Sequence, residues 1–200
     1  MTNELHMANR TQKLMRITVV TAVCMSTLSA FASNCENKVG TFLRSPSKFN
    51  YLQIVGSETS RAASDCWSVI AKSPKNRDKI TGLVTAGNQW AIRFVAINLK
   101  ALDGGDLEDA LIILGGASNS APQLLLSLDV DGIITDYELG SAAEMLPESF
   151  VDKRNEQINE LKMRVQSFKS VRDSRLSRPR SYVLKKLLSD IRELESIPEG

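Results

Sequence analysis

Gln89-Trp90-Ala91-Ile92-Arg93-Phe94-Val95-Ala96-Ile97-Asn98-Leu99-Lys100-Ala101-Leu102 is the stretch that decides the fold. At helical spacing Trp90, Phe94 and Ile97 form one stripe, and Ile92, Val95, Leu99 and Leu102 form another, so a helix over 89–102 is apolar nearly all round. Such a helix belongs at the centre of a fold, covered on two sides. Asn88, just after Gly87, suits its N-cap.

Working outward, the chain continues as short helices joined by short turns. Downstream, Asp103-Gly104-Gly105 ends the central helix, and Asp106 suits the cap of a helix over Leu107–Leu114 with Glu108 and Asp109 in its first turn. Gly115-Gly116 closes that helix, and Ala121-Pro122 opens the next, which carries Leu124, Leu125, Leu126 and Leu128. A further helix is expected from Asp136 to Met145, ended by Pro147. Upstream, Thr59–Lys72 reads as a helix with Cys66, Trp67, Val69 and Ile70 inward, stopped at Ser73-Pro74, and Lys75–Ala86 as another with Ile80, Leu83 and Val84 inward. From Ser33 to Gly56 a short helix or two is expected, anchored by Phe42, Leu43, Phe49, Tyr51, Leu52, Ile54 and Val55. No segment alternates at the strand period, so the fold class is all-α.

Gly87 to Pro147, with its Gly-Asn-x-Trp-Ala opening, Asp-Gly-Gly between helices and Ala-Pro before a leucine run, resembles a HEAT-type helical repeat. The resemblance covers about a third of the chain and implies short antiparallel helices stacked in a HEAT-like or irregular array. No repeat of about forty residues recurs, so it bears on architecture alone.

The carboxyl third changes character. Val151, Ile158, Leu161, Val165 and Phe168 fall at steps of seven, three, four and three, and Leu184, Leu187, Leu188, Ile191 and Leu194 repeat the pattern after a break. Two long helices with matching seams form a hairpin. The chain thus divides into residues 1–32, a helical domain over 33–150, and a hairpin over 151–200 that packs on the domain or extends from it. Residues 151–200 hold 12 basic and 8 acidic residues, a net +4, whereas 33–150 hold 10 and 14, a net −4.

Residues 1–32 read as a secretory signal peptide. Arg10, Lys13 and Arg16 precede an apolar stretch over Ile17–Phe31, and Ala30-Phe31-Ala32 is a small-x-small cleavage pattern. Val23 before Cys24 and Asn34 before Cys35 do not suit lipidation, so no membrane anchor is expected after cleavage, and the chain is expected in the periplasm or secreted. The mature chain carries 22 basic and 22 acidic residues, which argues against nucleic-acid binding. Its two cysteines, Cys35 and Cys66, are expected to form a disulfide. The single histidine, His6, falls in the signal, which removes Ser-His and Cys-His nucleophile pairs and most catalytic zinc sites.

Two clusters carry possible chemistry. Ser127 to Glu138 resembles a degenerate EF-hand calcium loop, with Ser127, Asp129 and Asp131 at the first, third and fifth positions, Gly132 at the turn and Glu138 at the twelfth. Ser127 replaces the usual Asp, which weakens any such site. The same residues also make a capping box, Thr135-Asp136-Tyr137-Glu138, opening a helix. Arg172, Arg175, Arg178 and Arg180, with Asp173 the one acid among them, form either a solvated hairpin tip or a contact for an acidic partner. Carboxylate pairs such as Asp106 with Glu108, or Glu144 with Glu148, would suit a glycan-cleaving enzyme but are ordinary on helix surfaces.

These features lead to the expectation of an exported, non-catalytic protein-binding module, resembling an immunity or inhibitor protein of the periplasm. The alternative is a calcium-stabilised structural protein using Ser127, Asp129, Asp131 and Glu138.

Overall fold

The computed structural model describes residues 34–57 and 66–197; residues 1–32, expected to be a signal peptide, lie outside the described residues. Helix α1 runs through residues 34–44. It is followed by α2 (Lys48–Val55), α3 (Ser68–Ala71), α4 (Pro74–Thr85), α5 (Gln89–Asn98), α6 (Gly104–Gly115), α7 (Pro122–Val130), α8 (Asp136–Glu144), α9 (Arg154–Ser170) and α10 (Ser177–Ser196). The described residues contain no strand, and the fold is all-α.

From α4 onward each helix lies against its second neighbour in the chain. One layer runs α4, α6, α8, α10, and the other runs α5, α7, α9. The layers are joined by α4 against α5, α5 against α6, α7 against α8 and α9 against α10, with α2 on α5 and α3 on α4 at the amino end. This is the two-layer stacking of helical-repeat proteins, in which each pair buries a face against the next. The α9–α10 hairpin is the last pair among the described residues, and α10 packs on α7 and α8.

Helix α5 occupies the centre, as its all-round apolarity requires. Ala91, Ile92 and Phe94 to Asn98 are all buried, and Asn88 caps the helix by accepting from the Trp90 and Ala91 amides at 3.1 Å. Around it, Phe94 meets Phe42 and Trp67 with ring centroids 5.5 and 6.0 Å apart. Each such ring removed from water contributes about 1.5–3 kcal/mol before entropy is counted. Cys35 and Cys66 are bonded, Sγ–Sγ 2.02 Å, which ties α1 to the turn before α3.

Several boundaries differ from expectation. The central helix ends at Asn98 and tightens into a 3₁₀ turn over Leu99–Ala101, where the buried Asn98 amide donates to the Phe94 carbonyl at 2.7 Å. Asp103, not Asp106, is the N-cap of α6, so Gly104 and Gly105 open that helix instead of ending the previous one. The helix expected over Thr59–Lys72 is described only as α3, since residues 58–65 lie outside the described residues. Phe49 is no anchor, being 69% exposed. Val151 leaves the seam because α9 begins only at Arg154, and it is 59% exposed. The α10 stripe is Pro179, Val183, Leu187 and Ile191; Leu188 sits about 100° round the helix from Leu187 and is 41% exposed.

Candidate functional site

The structure takes the acidic turn apart. Helix α7 continues to Val130, so Ser127 and Asp129 stand on a helix and not in a loop. The Ser127 hydroxyl donates to the Leu124 carbonyl at 2.8 Å, and the Asp131 carboxylate accepts from Arg93 at 3.3 Å. Gly132 takes the left-handed conformation (φ 66°) that a side chain would resist. Glu138 folds back on its own helix start. Its Oε2 accepts from the Thr135 amide at 2.6 Å, while the Glu138 amide donates to Thr135 Oγ1 at 3.2 Å. The capping box is therefore complete. Ser127, Asp129, Asp131 and Glu138 point to four different partners and do not fit a calcium cradle. Among the described residues no three His, Cys, Asp or Glu side chains are grouped to hold a metal ion.

What the turn does instead is meet the arginine-rich segment. Arg178, in the first turn of α10, forks between two carboxylates, donating to Asp129 Oδ2 and Asp136 Oδ2 at 3.0 Å each. Each member of the Asp129–Arg178 pair stands at the wrong end of its own helix dipole, an acid in the last turn of α7 and a cation in the first turn of α10. Together they offset that cost and pin three helices at one point. Burial raises the Asp129 carboxyl above its ordinary range, Asp136 beside it raises it further, and Arg178 opposes both.

The other arginines of the segment divide. Arg180 donates to the Val171 carbonyl, and Arg175 lies along Asp173 with contacts at 3.1 and 2.7 Å that hold that carboxyl below its ordinary range. Arg172 is exposed and has no ion pair among the described residues. The four do not form one shared basic patch, because Arg175 and Arg178 are spent on carboxylates and Arg180 on a backbone carbonyl.

A fifth arginine, Arg164, carries more structural weight than these and has no motif to announce it. Only 2% exposed, it spends Nη1 on the carbonyls of Ala143 and Met145 at 2.8 and 2.9 Å, and Nε on Glu160 at 3.0 Å. Those carbonyls are among the last of α8, which the helix itself cannot satisfy. Burial lowers the Arg164 pKa and Glu160 opposes that, so the guanidinium stays a cation. The approach of α6 that brings this about depends on Gly115, where a Cβ would stand 2.2 Å from the Ala142 carbonyl oxygen.

A second unheralded cluster joins α8 and α10. Lys186 donates to Glu144 at 2.7 Å, and Asp190 sits beside both. Burial and the Glu144 carboxylate push the Asp190 pKa up to about 6, against the pull of Lys186. Glu144 is thus engaged with α10 and not with the exposed Glu148.

Among the described residues, one concave feature is a cleft of about 900 Å³ lined by residues of α9 and α10. Val165 and Ile191 form its floor, and Met163 and Leu188, 54% and 41% exposed, form its apolar walls. Lys162, Lys169, Arg192 and Glu195 stand on the rim, with Lys162 and Glu195 paired across it at 2.8 Å. Sequence reading assigned Leu188 to the buried seam and missed this site. The signal lay in the adjacency of Leu187 and Leu188, which one packed stripe cannot hold together.

Compared with protein-family models, with curated proteins and with solved structures, the chain matches none.

Proposed function

We propose that this chain is an exported, non-catalytic protein-binding module of the immunity or inhibitor kind, and that the outer face of the α9–α10 hairpin is its binding surface. The observation that carries the reading is the open cleft, with Met163 and Leu188 presenting apolar atoms to water along one continuous groove. Contiguous exposed apolar surface framed by polar residues marks an interaction site, whereas scattered exposed side chains do not. The Cys35–Cys66 disulfide supports an oxidising compartment. Among the described residues, no helix is long and apolar enough to cross a membrane.

The test is site-specific photo-crosslinking in the cells that make the protein. A crosslinker at Met163 or Leu188 should give a discrete adduct with another protein, and one at the exposed Asp78 of α4 should not. Adducts of equal intensity at all three positions, or none at Met163 and Leu188, would sink the proposal.

A further inference from the structure

The chemistry of the partner follows from where the cleft lies and how its rim is charged. In a two-layer stack every helix pair covers the preceding one, and the terminal pair normally shows water a polar face. The α9–α10 pair, the last among the described residues, shows an apolar floor and walls, the surface against which a further helix would seat. The lining runs from Asn159 to Lys169 on α9, about 15 Å along the axis, whereas anchors at i, i+4 and i+7 on one face of a helix span about 10 Å.

The rim sets the sign. Three cations, Lys162, Lys169 and Arg192, face one anion, Glu195, and the Lys162–Glu195 pair leaves Lys169 and Arg192 without an ion pair among the described residues. Lys169 stands in the last turn of α9, and Arg192 directs its Nε to the Leu188 carbonyl of its own helix at 3.0 Å. We infer that the cleft receives one amphipathic helix of a partner protein, its apolar stripe seated on Met163 and Leu188 and its acidic flanks against Lys169 and Arg192. This rests on the protein-binding reading above and narrows it to an acidic helical segment that extends the stack by one element.

The experiment uses the purified disulfide-bonded chain and two labelled peptides of about 15 residues, near the shortest length at which a helix persists alone. Both carry leucine at i, i+4 and i+7; one has glutamate at the flanking positions and the other lysine. By fluorescence anisotropy the acidic peptide should bind at least tenfold tighter than the basic one. That preference should shrink as salt is raised, since exposed charges beyond a Debye length are screened. Leu188→Lys should weaken the acidic peptide at least tenfold, and the double change Lys169→Glu, Arg192→Glu should reverse the preference. All three residues are exposed, and a thermal melt of each variant confirms folding.

Equal affinity for the two peptides, or binding indifferent to Leu188→Lys and to the charge reversal, overturns the inference. So does a concentration-dependent dimer, seen by sedimentation, that Leu188→Lys abolishes, because the occupant would then be a second copy. A protein adduct at Met163 in cells combined with no peptide preference would reject the acidic helix while leaving the binding surface standing. Absence of both would reject the two together.

Discussion

The two sides of the α9–α10 hairpin are made from neighbouring turns of the same helices, yet they are built on opposite terms. On the inner side Ile158, Leu161 and Phe168 of one helix and Val183 and Leu187 of the other are buried, and the buried cation, Arg164, spends its donors on carbonyls and a carboxylate. On the outer side Met163 and Leu188 touch water, and Lys169 and Arg192 have no ion pair among the described residues. Stability is concentrated on one face, and the proposed binding surface lies on the other. A change on the inner face should therefore cost folding, and a change on the outer face should cost only recognition.

The sharpest way to break that comparison is Arg164→Ala. It strips partners from the Ala143 and Met145 carbonyls and leaves Glu160 a poorly solvated charge, and breaking a buried pair in this way costs about 3 kcal/mol or more. A fall in melting temperature of roughly 10 °C is expected for a domain of this size. Arg164→Lys should recover only part, because one ammonium cannot reach the three sites the fork serves. If Arg164→Ala melted like the parent chain, the inner face would not be the stabilising one.

Arg178→Ala comes next. It leaves the buried Asp129 facing Asp136 without their common cation, a loss of about 1 kcal/mol given how exposed the arginine is. The loss should be greatest near neutral pH and shrink in acid, where Asp129, whose pKa is already raised, takes up its proton and needs no counter-ion. Adding Asp129→Asn to Arg178→Ala should restore most of the difference, as chemical denaturation at pH 7 would report.

Asp190→Asn should stabilise, by a smaller amount. The folded-state pKa of Asp190, about 6, lies above its unfolded value, so the native chain holds that proton more tightly than the unfolded one. The favourable contribution is present in acid and is lost as pH rises from about 4 through about 6. The asparagine variant should melt above the parent at pH 7.5 and converge with it by pH 4. A gap that stayed constant over that range would remove Asp190 as its source.

The two smallest effects complete the comparison. Met163→Lys and Leu188→Lys should shift stability by less than about 0.5 kcal/mol, as exposed substitutions generally do. Millimolar calcium against EDTA should leave the melting curve unmoved, because the four candidate ligands are committed elsewhere. A calcium shift lost in Asp129→Ala would reopen the turn as a metal site.

The order of helices was legible in the chain because it rests on local signals. The apolar run of 89–102, Asn88 as a cap, Pro122 at a helix start and the Thr135–Glu138 box all act within one or two turns. The disulfide was legible from the two cysteines that follow the expected signal segment, read together with the oxidising compartment that segment implies. What escaped depends on residues distant in sequence. Arg178 reaches Asp129 across 49 positions, and Arg164 reaches Ala143 across 21, so neither spacing carries a pattern. The acidic turn carried two readings for a related reason. Its EF-hand positions are also those of a helix end followed by a cap; Ser127 and Glu138 find their partners locally, whereas Asp129 and Asp131 find theirs in arginines on other helices. The cleft escaped because a heptad pattern counts apolar positions without saying which side of the seam each one faces.

The Cys35–Cys66 link has a consequence for how the protein wears out. It closes a ring 31 residues apart in sequence, which holds α2. One proteolytic cut anywhere inside the ring opens it without severing the molecule, so a nicked chain keeps its amino-terminal helix covalently in place. Two independent cuts are required before anything diffuses away. On a gel such nicked molecules run as intact chains until a reductant is added.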